Sequence, residues 1–153
     1  MSNNVDIRQL RSDEIPQLEP CLLELAAYHN SLSIPFAGVF PYLPISAVLE
    51  AMAANVQKGK GVANAVFEDS RIIGFCNLGI EGTYGQVENL FVFAEKRGCG
   101  YGRSLMDRAL DIFRARGVTL VDIQVVHGNP TESFYAKYGF CVRSLVMARR
   151  LQP

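Results

Sequence analysis

A run of closely spaced glycines constrains the fold of this chain more than any other part of its sequence. Gly98, Gly100 and Gly102 follow a segment rich in β-branched and aromatic residues, and apolar residues at helical spacing come directly after them. The pattern predicts a strand, a glycine loop and a helix in immediate succession. Because glycine lacks a Cβ atom and the first turn of a helix has unpaired N–H groups, this succession predicts a cradle for a phosphate group.

Two common nucleotide-binding motifs do not fit this loop. A P-loop has Gly-Lys-Ser/Thr at the start of its helix, whereas this chain has Arg103 at the lysine position and an upstream glycine at the wrong distance. A Rossmann fingerprint needs a third glycine where Leu105 stands, and its acidic residue ends a strand, whereas Asp122 falls in the middle of one. The sequence therefore excludes both motifs.

The remaining pattern predicts one α/β (α+β) domain over residues 1–153. Apolar periodicity and turn residues indicate the order β-α-α-β-β-β-α-β-α-β, which is typical of a mixed sheet flanked by helices. The predicted strands are residues 5–8, 62–67, 71–80, 86–93, 119–126 and 140–148, and the helices begin near Ser12, Ser46, Gly102 and Pro130.

Composition and charge exclude several functional classes. The 15 Lys and Arg residues balance 15 Asp and Glu residues, so binding to nucleic acid is not expected. The four cysteines are widely spaced, so neither a metal site nor a disulfide framework is predicted. The uncharged stretch 25–49 contains three prolines, which excludes a membrane span. Because no signal peptide is recognisable, we expect a reducing, cytoplasmic location.

Two segments of the chain resemble one enzyme family. Leu90-Phe91-Val92 and, after four intervening residues, Arg97-Gly98-x-Gly100-x-Gly102-x-x-Leu105-Met106 resemble motif A of the GNAT superfamily of N-acetyltransferases. Downstream, the run Phe134-Tyr135-Ala136-Lys137-Tyr138-Gly139-Phe140 resembles the F-Y-x-K-x-G-F segment of that family. The two segments have the family's order and separation. The resemblance implies a mostly antiparallel central sheet of about six or seven strands with about four helices.

The resemblance also implies acetyl-CoA as co-substrate, bound where two neighbouring parallel strands separate. The backbone of Val92 and Phe93 would pair with the pantetheine arm, and an N–H group near Val92 would donate to the thioester oxygen. Asn129 and Lys137 would also approach the coenzyme, although Asn129 lies one residue closer to Tyr135 than is usual in the family. The residues implied to surround the pyrophosphate are Arg97, Gly98, Cys99, Gly100, Tyr101, Gly102 and Arg103.

Acetyl transfer to an amine requires an acceptor for the amine proton and a proton for the departing thiolate. Glu88 precedes the pantetheine-binding positions on the same predicted strand, and strand alternation places it on the face of Leu90 and Val92. Glu88 is therefore the candidate base, with Glu81 and Glu50 as alternatives. Tyr135 matches a tyrosine that in many family members can protonate the coenzyme sulfur, and its alternative role is packing in the core.

The resemblance places the acceptor side around residues 28–44 and 81–85. Tyr28, His29 and Phe36 predict an aromatic, uncharged wall there, and Glu81 borders it. A polycation such as an aminoglycoside would be expected to meet several carboxylates, and none lies within residues 25–49. A small amine with apolar character, or a peptide amino terminus, therefore fits this wall better.

Two functions of other classes stay open at the level of sequence. One is a non-catalytic module that binds or senses acyl-CoA on the same fold, and the other is a structural partner subunit. The presence of Glu88 and Tyr135 favours an N-acetyltransferase over both. A homodimer that associates through sheet edges is compatible with this fold.

Overall fold

A five-stranded sheet forms the centre of the structure, a computed structural model that describes residues 4–151; residues 1–3 and 152–153, the ends of the predicted domain, lie outside the described residues. The spatial order of the strands equals their order in the chain. Neighbours from β1 to β4 pair antiparallel, and β5 pairs parallel with β4. The predicted mixed, mostly antiparallel sheet is thus confirmed. The strands are β1 (Val5–Gln9), β2 (Gly61–Glu68), β3 (Arg71–Glu81), β4 (Tyr84–Val92) and β5 (Leu120–Ile123).

Four α-helices accompany the sheet within the described residues. The helix predicted to begin near Ser12 starts as a 3-10 helix, Ser12–Leu18, which contains Pro16, and only then becomes α-helical. A second 3-10 turn, Ile34–Phe36, lies in the loop between the first two helices. Within residues 4–151, no helix has the length and apolar character that crossing a membrane requires. The helices are α1 (Glu19–Leu32), α2 (Ile45–Gln57), α3 (Tyr101–Ala115) and α4 (Glu132–Ala136).

The helices cover both faces of the sheet, and each face has its own hydrophobic core. On one face the buried side chains of α1 and α2 surround Phe75 of β3. On the other face α3 buries Phe113 against β4, and Tyr135 of α4 joins the same cluster. A Cβ atom at Gly85 would lie 2.5 Å from the Phe113 ring, so glycine at this position lets α3 pack directly on the strand.

The predicted final strand, residues 140–148, is not formed, so the described sheet has five strands rather than six or seven. Its alternating apolar residues fit a strand, but a strand also needs a hydrogen-bonded neighbour, and no residue of this segment pairs with the outer edge of β5 among the described residues. Two arginines hold the segment instead. Arg143 Nε donates to Asp122 Oδ1 at 2.6 Å, and Arg150 Nε donates to the carbonyl oxygen of Pro35 at 2.8 Å. Between them Met147 is 93% exposed.

Candidate functional site

A cavity of about 320 Å³ opens where β4 and β5 stop pairing. The parallel register runs from Tyr84 opposite Leu120 to Val87 opposite Ile123, and β4 then continues to Val92 paired with β3 but no longer with β5. The expected cleft between two separating parallel strands is therefore present. The cavity wall brings together seven of the residues that the sequence predicts for the site, namely Tyr28, His29, Glu88, Val92, Arg97, Asn129 and Tyr135.

A β-bulge fixes the position of Glu88. Asn77 of β3 lies opposite Asn89, whereas Leu78 lies opposite Val87, so Glu88 is the extra residue of β4. The bulge interrupts strand alternation, and the prediction that Glu88 shares the face of Leu90 and Val92 is wrong. Those two residues pack on the α3 side of the sheet, whereas Glu88 contacts the side chain of Asn77 on the opposite face.

The carboxylate of Glu88 belongs to a short chain of polar side chains. Asn77 Nδ2 donates to Glu88 Oε2 at 2.6 Å, and Asn89 Nδ2 donates to Asn77 Oδ1 at 2.8 Å. The surrounding protein withdraws part of the Glu88 carboxyl from water and raises its pKa, and the hydrogen bond from Asn77 partly opposes this shift. Glu88 nevertheless remains accessible to solvent at the cavity wall.

The backbone of β4 beyond the bulge faces the cavity at Val92. The Phe93 N–H donates to the carbonyl oxygen of Ile73 at 3.0 Å, so the Phe93 amide is engaged with β3. Because residues of an antiparallel strand alternate between its two neighbours, Val92 directs its backbone groups away from β3. Arg97 Nε indeed donates to the Val92 carbonyl oxygen at 3.0 Å. Val92 is thus the better placed of the two residues predicted to pair with pantetheine.

The glycine loop lies at the start of α3, as the sequence predicts. Gly98 and Gly100 have φ values of +79° and +87°, which residues with a side chain rarely adopt, and a Cβ atom at either would meet nothing within 4 Å. Cys99 between them is exposed. The loop therefore leaves open space in front of the helix N-terminus, where N–H groups and the positive end of the helix dipole favour an anion.

Tyr135 reaches the cavity from α4 and is 9% exposed. Its ring contacts Phe134 edge-on, with ring centroids 5.2 Å apart. Burial raises the pKa of Tyr135 to about 12, so the phenol is protonated at neutral pH. Nearby, the Oγ1 atom of Thr131 is buried in the cavity wall without a hydrogen-bond partner among the described residues.

The side of the cavity formed by α1 is aromatic. The Tyr28 hydroxyl donates to Asn129 Oδ1 at 3.4 Å, and the guanidinium of Arg97 lies 5.2 Å from the centre of the Tyr28 ring. His29 packs edge-on against Phe40, and burial lowers the pKa of His29, which favours the neutral imidazole. The residues that bring formal charge to the cavity wall are Glu88 and Arg97.

Several residues predicted for the site lie outside the cavity lining. Glu81 ends β3 and pairs with Lys60 at 3.4 Å, and Phe36 belongs to the 3-10 turn after α1. Lys137 is exposed just after α4. The Phe93 ring packs against Phe91 in the hydrophobic core on the α1 and α2 side of the sheet. Glycine-loop residues 98–103 adjoin the cavity at the start of α3 but do not line it.

Sequence reasoning missed the amides Asn77 and Asn89 and the hydroxyl of Thr131. Asn77 is 2% exposed in a strand whose other central residues are apolar. An amide in the middle of a strand predicted to be buried was the available signal, because buried polar groups need partners. The sequence contains no comparable signal for the β-bulge that brings Asn89 to Asn77.

Comparisons with known proteins agree with this architecture. The sequence profile of the Acetyltransferase (GNAT) family matches residues 25–140. None of the curated proteins is significantly similar to the chain. Many solved structures share the fold.

Three of these structures illustrate the similarity. The PaiA N-acetyltransferase of Thermoplasma acidophilum, in complex with coenzyme A, is 21% identical, with a TM-score of 0.69 over 94% of this chain and 93% of that one. A GCN5-related N-acetyltransferase of Ralstonia eutropha is 16% identical, with a TM-score of 0.76 over 97% and 99%. A predicted acetyltransferase of Clostridium acetobutylicum, with acetyl-CoA, is 18% identical, with a TM-score of 0.75 over 95% and 96%.

Proposed function

The chain belongs to the GNAT acetyltransferase family, and we propose that it transfers the acetyl group of acetyl-CoA to a primary amine of a small molecule or peptide, by direct attack in a ternary complex. One observation carries this proposal: a single cavity joins a carboxylate, Glu88, and a protonated phenol, Tyr135, beside Val92, whose backbone groups point away from β3. These groups are the proton acceptor, proton donor and hydrogen-bonding backbone that the reaction requires.

The glycine loop and Val92 fit the coenzyme. The open space at Gly98 and Gly100 suits a pyrophosphate, which the N–H groups of residues 98–103 would bind. Val92 would pair its backbone with the pantetheine arm as an added strand does. The hydroxyl of Thr131, which has no hydrogen-bond partner within residues 4–151, offers a further hydrogen bond to a polar ligand in the cavity. When bound, acetyl-CoA supplies a thioester carbonyl that is open to attack by a nucleophile.

Glu88 would act as the base, directly or through a water molecule. An alkyl amine has a pKa of about 10.4 and is mostly protonated at neutral pH, so a proton acceptor is needed. The amine nitrogen forms a bond to the thioester carbonyl carbon, the carbon–sulfur bond breaks, and the amine proton passes to Glu88. The backbone N–H of Val92 would stabilise the negative charge that develops on the carbonyl oxygen.

Tyr135 would donate to the departing sulfur. Its pKa of about 12 keeps the phenol protonated until it is needed. An ordinary thiol has a pKa of about 8.5, so the phenol is the weaker acid of the two. We therefore infer that a hydrogen bond from Tyr135 to the thiolate provides much of the stabilisation, and that solvent completes the protonation.

The two faces of the sheet would serve the two substrates. The glycine loop and Tyr135 lie on the α3 and α4 side, whereas Glu88, Tyr28 and His29 lie towards α1. Donor and acceptor can therefore approach the gap between β4 and β5 from opposite faces, as direct transfer requires. The acceptor wall is aromatic and has one carboxylate, which favours a monoamine with apolar character over a polycation.

The experiment is the pH profile of kcat/KM for an amine acceptor in the Glu88→Gln variant. We expect a loss of about 10²-fold at neutral pH, which shrinks towards the amine pKa because the free base then needs no proton acceptor. Glu81→Gln is the matched control, because Glu81 is exposed and bound to Lys60 outside the cavity. A loss that is uniform across pH would contradict the assignment of Glu88 as base.

A further inference from the structure

Glu88 is held by a residue that no functional motif includes. Asn77 Nδ2 donates to Glu88 Oε2 at 2.6 Å, and Asn77 is 2% exposed. A buried amide on a neighbouring strand cannot turn away into solvent, so it offers the Glu88 carboxylate a donor in a fixed position. The bulge at Glu88 makes this contact geometrically possible, because it directs Glu88 and Asn89 to the same face of β4.

Asn89 fixes which end of the Asn77 amide faces the carboxylate. Asn89 Nδ2 donates to Asn77 Oδ1 at 2.8 Å, and this leaves the Nδ2 atom of Asn77 for Glu88. In the reversed orientation the Asn77 carbonyl oxygen would face an ionised carboxylate without a hydrogen between them. The arrangement therefore favours the ionised form of Glu88, which is the form that accepts a proton.

Gly79 provides the space for this arrangement. A Cβ atom at position 79 would lie 2.6 Å from Glu88 Oε1 and 3.4 Å from its Cδ atom. The φ angle of Gly79 is not in the left-handed region, so the backbone does not demand glycine there. A side chain at position 79 would therefore displace the Glu88 carboxylate from its present place.

We propose that Asn77 is a positioning residue for acetyl transfer, whose side-chain amide, oriented by Asn89, holds the Glu88 carboxylate over Gly79 at the cavity wall. This inference rests on the proposed function of Glu88 as base. It adds that Asn77 acts through Glu88 without touching either substrate. Without the Asn77 amide, the Glu88 carboxylate would be displaced and would be protonated at a higher pH.

Other titratable groups share the cavity with Glu88 and could affect an activity profile. They are Tyr28 and His29 of α1, Arg97 before α3 and Tyr135 of α4. A direct measurement of Glu88 is therefore needed beside the kinetics. The ¹³C chemical shift of the Glu88 carboxyl, followed against pH in the full-length protein and assigned with Glu88→Gln, gives its pKa without any substrate.

The test compares Asn77→Ala with wild type in two measurements. One is this titration, and the other is the acid limb of the pH profile of kcat/KM for the amine, that is, the apparent pKa below which kcat/KM falls. We expect the Glu88 pKa and the acid limb to rise together by about 1 unit, with the affinity for acetyl-CoA unchanged. Asn77→Asp, which replaces the donor by a carboxylate of the same shape, should raise both further. Asn64→Ala is the control, because Asn64 is fully buried in β2 and has no hydrogen bond to Glu88.

An unchanged Glu88 pKa and acid limb in Asn77→Ala would overturn the inference. If Asn77 variants do not fold, Asn89→Ala and Gly79→Ala test the same arrangement: the first should raise the Glu88 pKa by a smaller amount, and the second should lower kcat by displacing the carboxylate. No effect of either would also overturn it. A fully active Glu88→Gln variant would instead show that Glu88 is not the base. That result would contradict the proposed function itself rather than the positioning role of Asn77.

Discussion

Arg97 and Val92 are joined at the cavity wall: Arg97 Nε donates to the Val92 carbonyl oxygen at 3.0 Å. The same guanidinium lies over the Tyr28 ring, so one side chain connects the glycine loop, β4 and α1. The contact uses the backbone carbonyl that pantetheine would need. Coenzyme binding and this hydrogen bond are therefore expected to compete.

The first prediction follows from that competition. Arg97→Ala removes a positive charge near the proposed pyrophosphate site but also frees the Val92 carbonyl, so the two effects on acetyl-CoA affinity partly cancel. We expect a decrease in affinity of no more than about threefold by titration calorimetry. A decrease larger than that caused by a change at Gly100 would contradict a site in which backbone N–H groups provide most of the binding.

The second prediction concerns the glycine loop. Gly100 has a φ of +87°, which a β-branched residue adopts only with strain, so Gly100→Val should distort the cradle and weaken acetyl-CoA binding by about tenfold or more. Gly117→Val is the control, because Gly117 has a φ of +73° just after the far end of the same helix. Equal affinities in the two folded variants would rule out a phosphate cradle at Gly100.

The third prediction separates chemistry from packing at Tyr135. Tyr135→Phe keeps the buried ring and removes only the hydroxyl, so it should lower kcat by about 10²-fold with acetyl-CoA affinity nearly unchanged. The effect should shrink with an acyl donor whose thiol is more acidic. Tyr138→Phe serves as the control, because the Tyr138 hydroxyl donates to the Arg103 carbonyl oxygen at 3.3 Å and Tyr138 does not line the cavity. Normal turnover with a lower melting temperature would assign Tyr135 to packing.

The fourth prediction concerns stability in acid. Arg8 donates to both oxygens of Glu14 at 3.1 and 2.7 Å and, together with the Arg11 N–H, which donates to Glu14 Oε1 at 3.0 Å, lowers the pKa of Glu14 to about 2. Because a free glutamate has a pKa of about 4.3, Glu14 stabilises the folded state above that pH, and this contribution disappears as pH falls towards about 2.

Glu14→Gln should therefore lower the melting temperature by about 3–6 °C at pH 7 and by less at pH 3. Asp13→Asn is the control, because Asp13 is an exposed carboxylate in the same turn. A Glu14→Gln deficit that stayed constant between these pH values would show that the ionised Glu14 carboxylate, bound by Arg8 and the Arg11 N–H, does not contribute in this way.

The sequence was informative where a local pattern determines local structure. Glycine spacing and apolar periodicity located the loop and α3, the resemblance implied that Val92, Asn129 and Tyr135 approach the coenzyme, and one cavity contains these three residues together with Glu88. These residues lie on separate elements, so periodicity alone could not have brought them together. Their proximity was predicted because the order of the predicted helices and strands matches the order in the GNAT superfamily.

The remaining differences have long-range causes. Residues 140–148 have strand-like alternation, but strand formation depends on pairing with a distant neighbour, and here the segment meets β5 through the Arg143–Asp122 side-chain contact rather than through backbone pairing. The face of Glu88 depends on a bulge, which is set by how β4 pairs with β3 and not by residue 88 itself. Glu81 was near the expected acceptor region in sequence, but the end of β3 places it beside Lys60.

The most direct test of acetyl transfer at this cavity is a measurement of thiol release from acetyl-CoA together with mass-spectrometric identification of the product, over a panel of monoamines, polyamines, amino acids and peptides. We predict thiol release in equal amount to an N-acetylated product, fastest with an apolar monoamine or a peptide amino terminus, and strongly reduced in Glu88→Gln. Tight binding of acetyl-CoA without acetylation of any amine in the panel would contradict an N-acetyltransferase and identify the chain as a non-catalytic acyl-CoA-binding module.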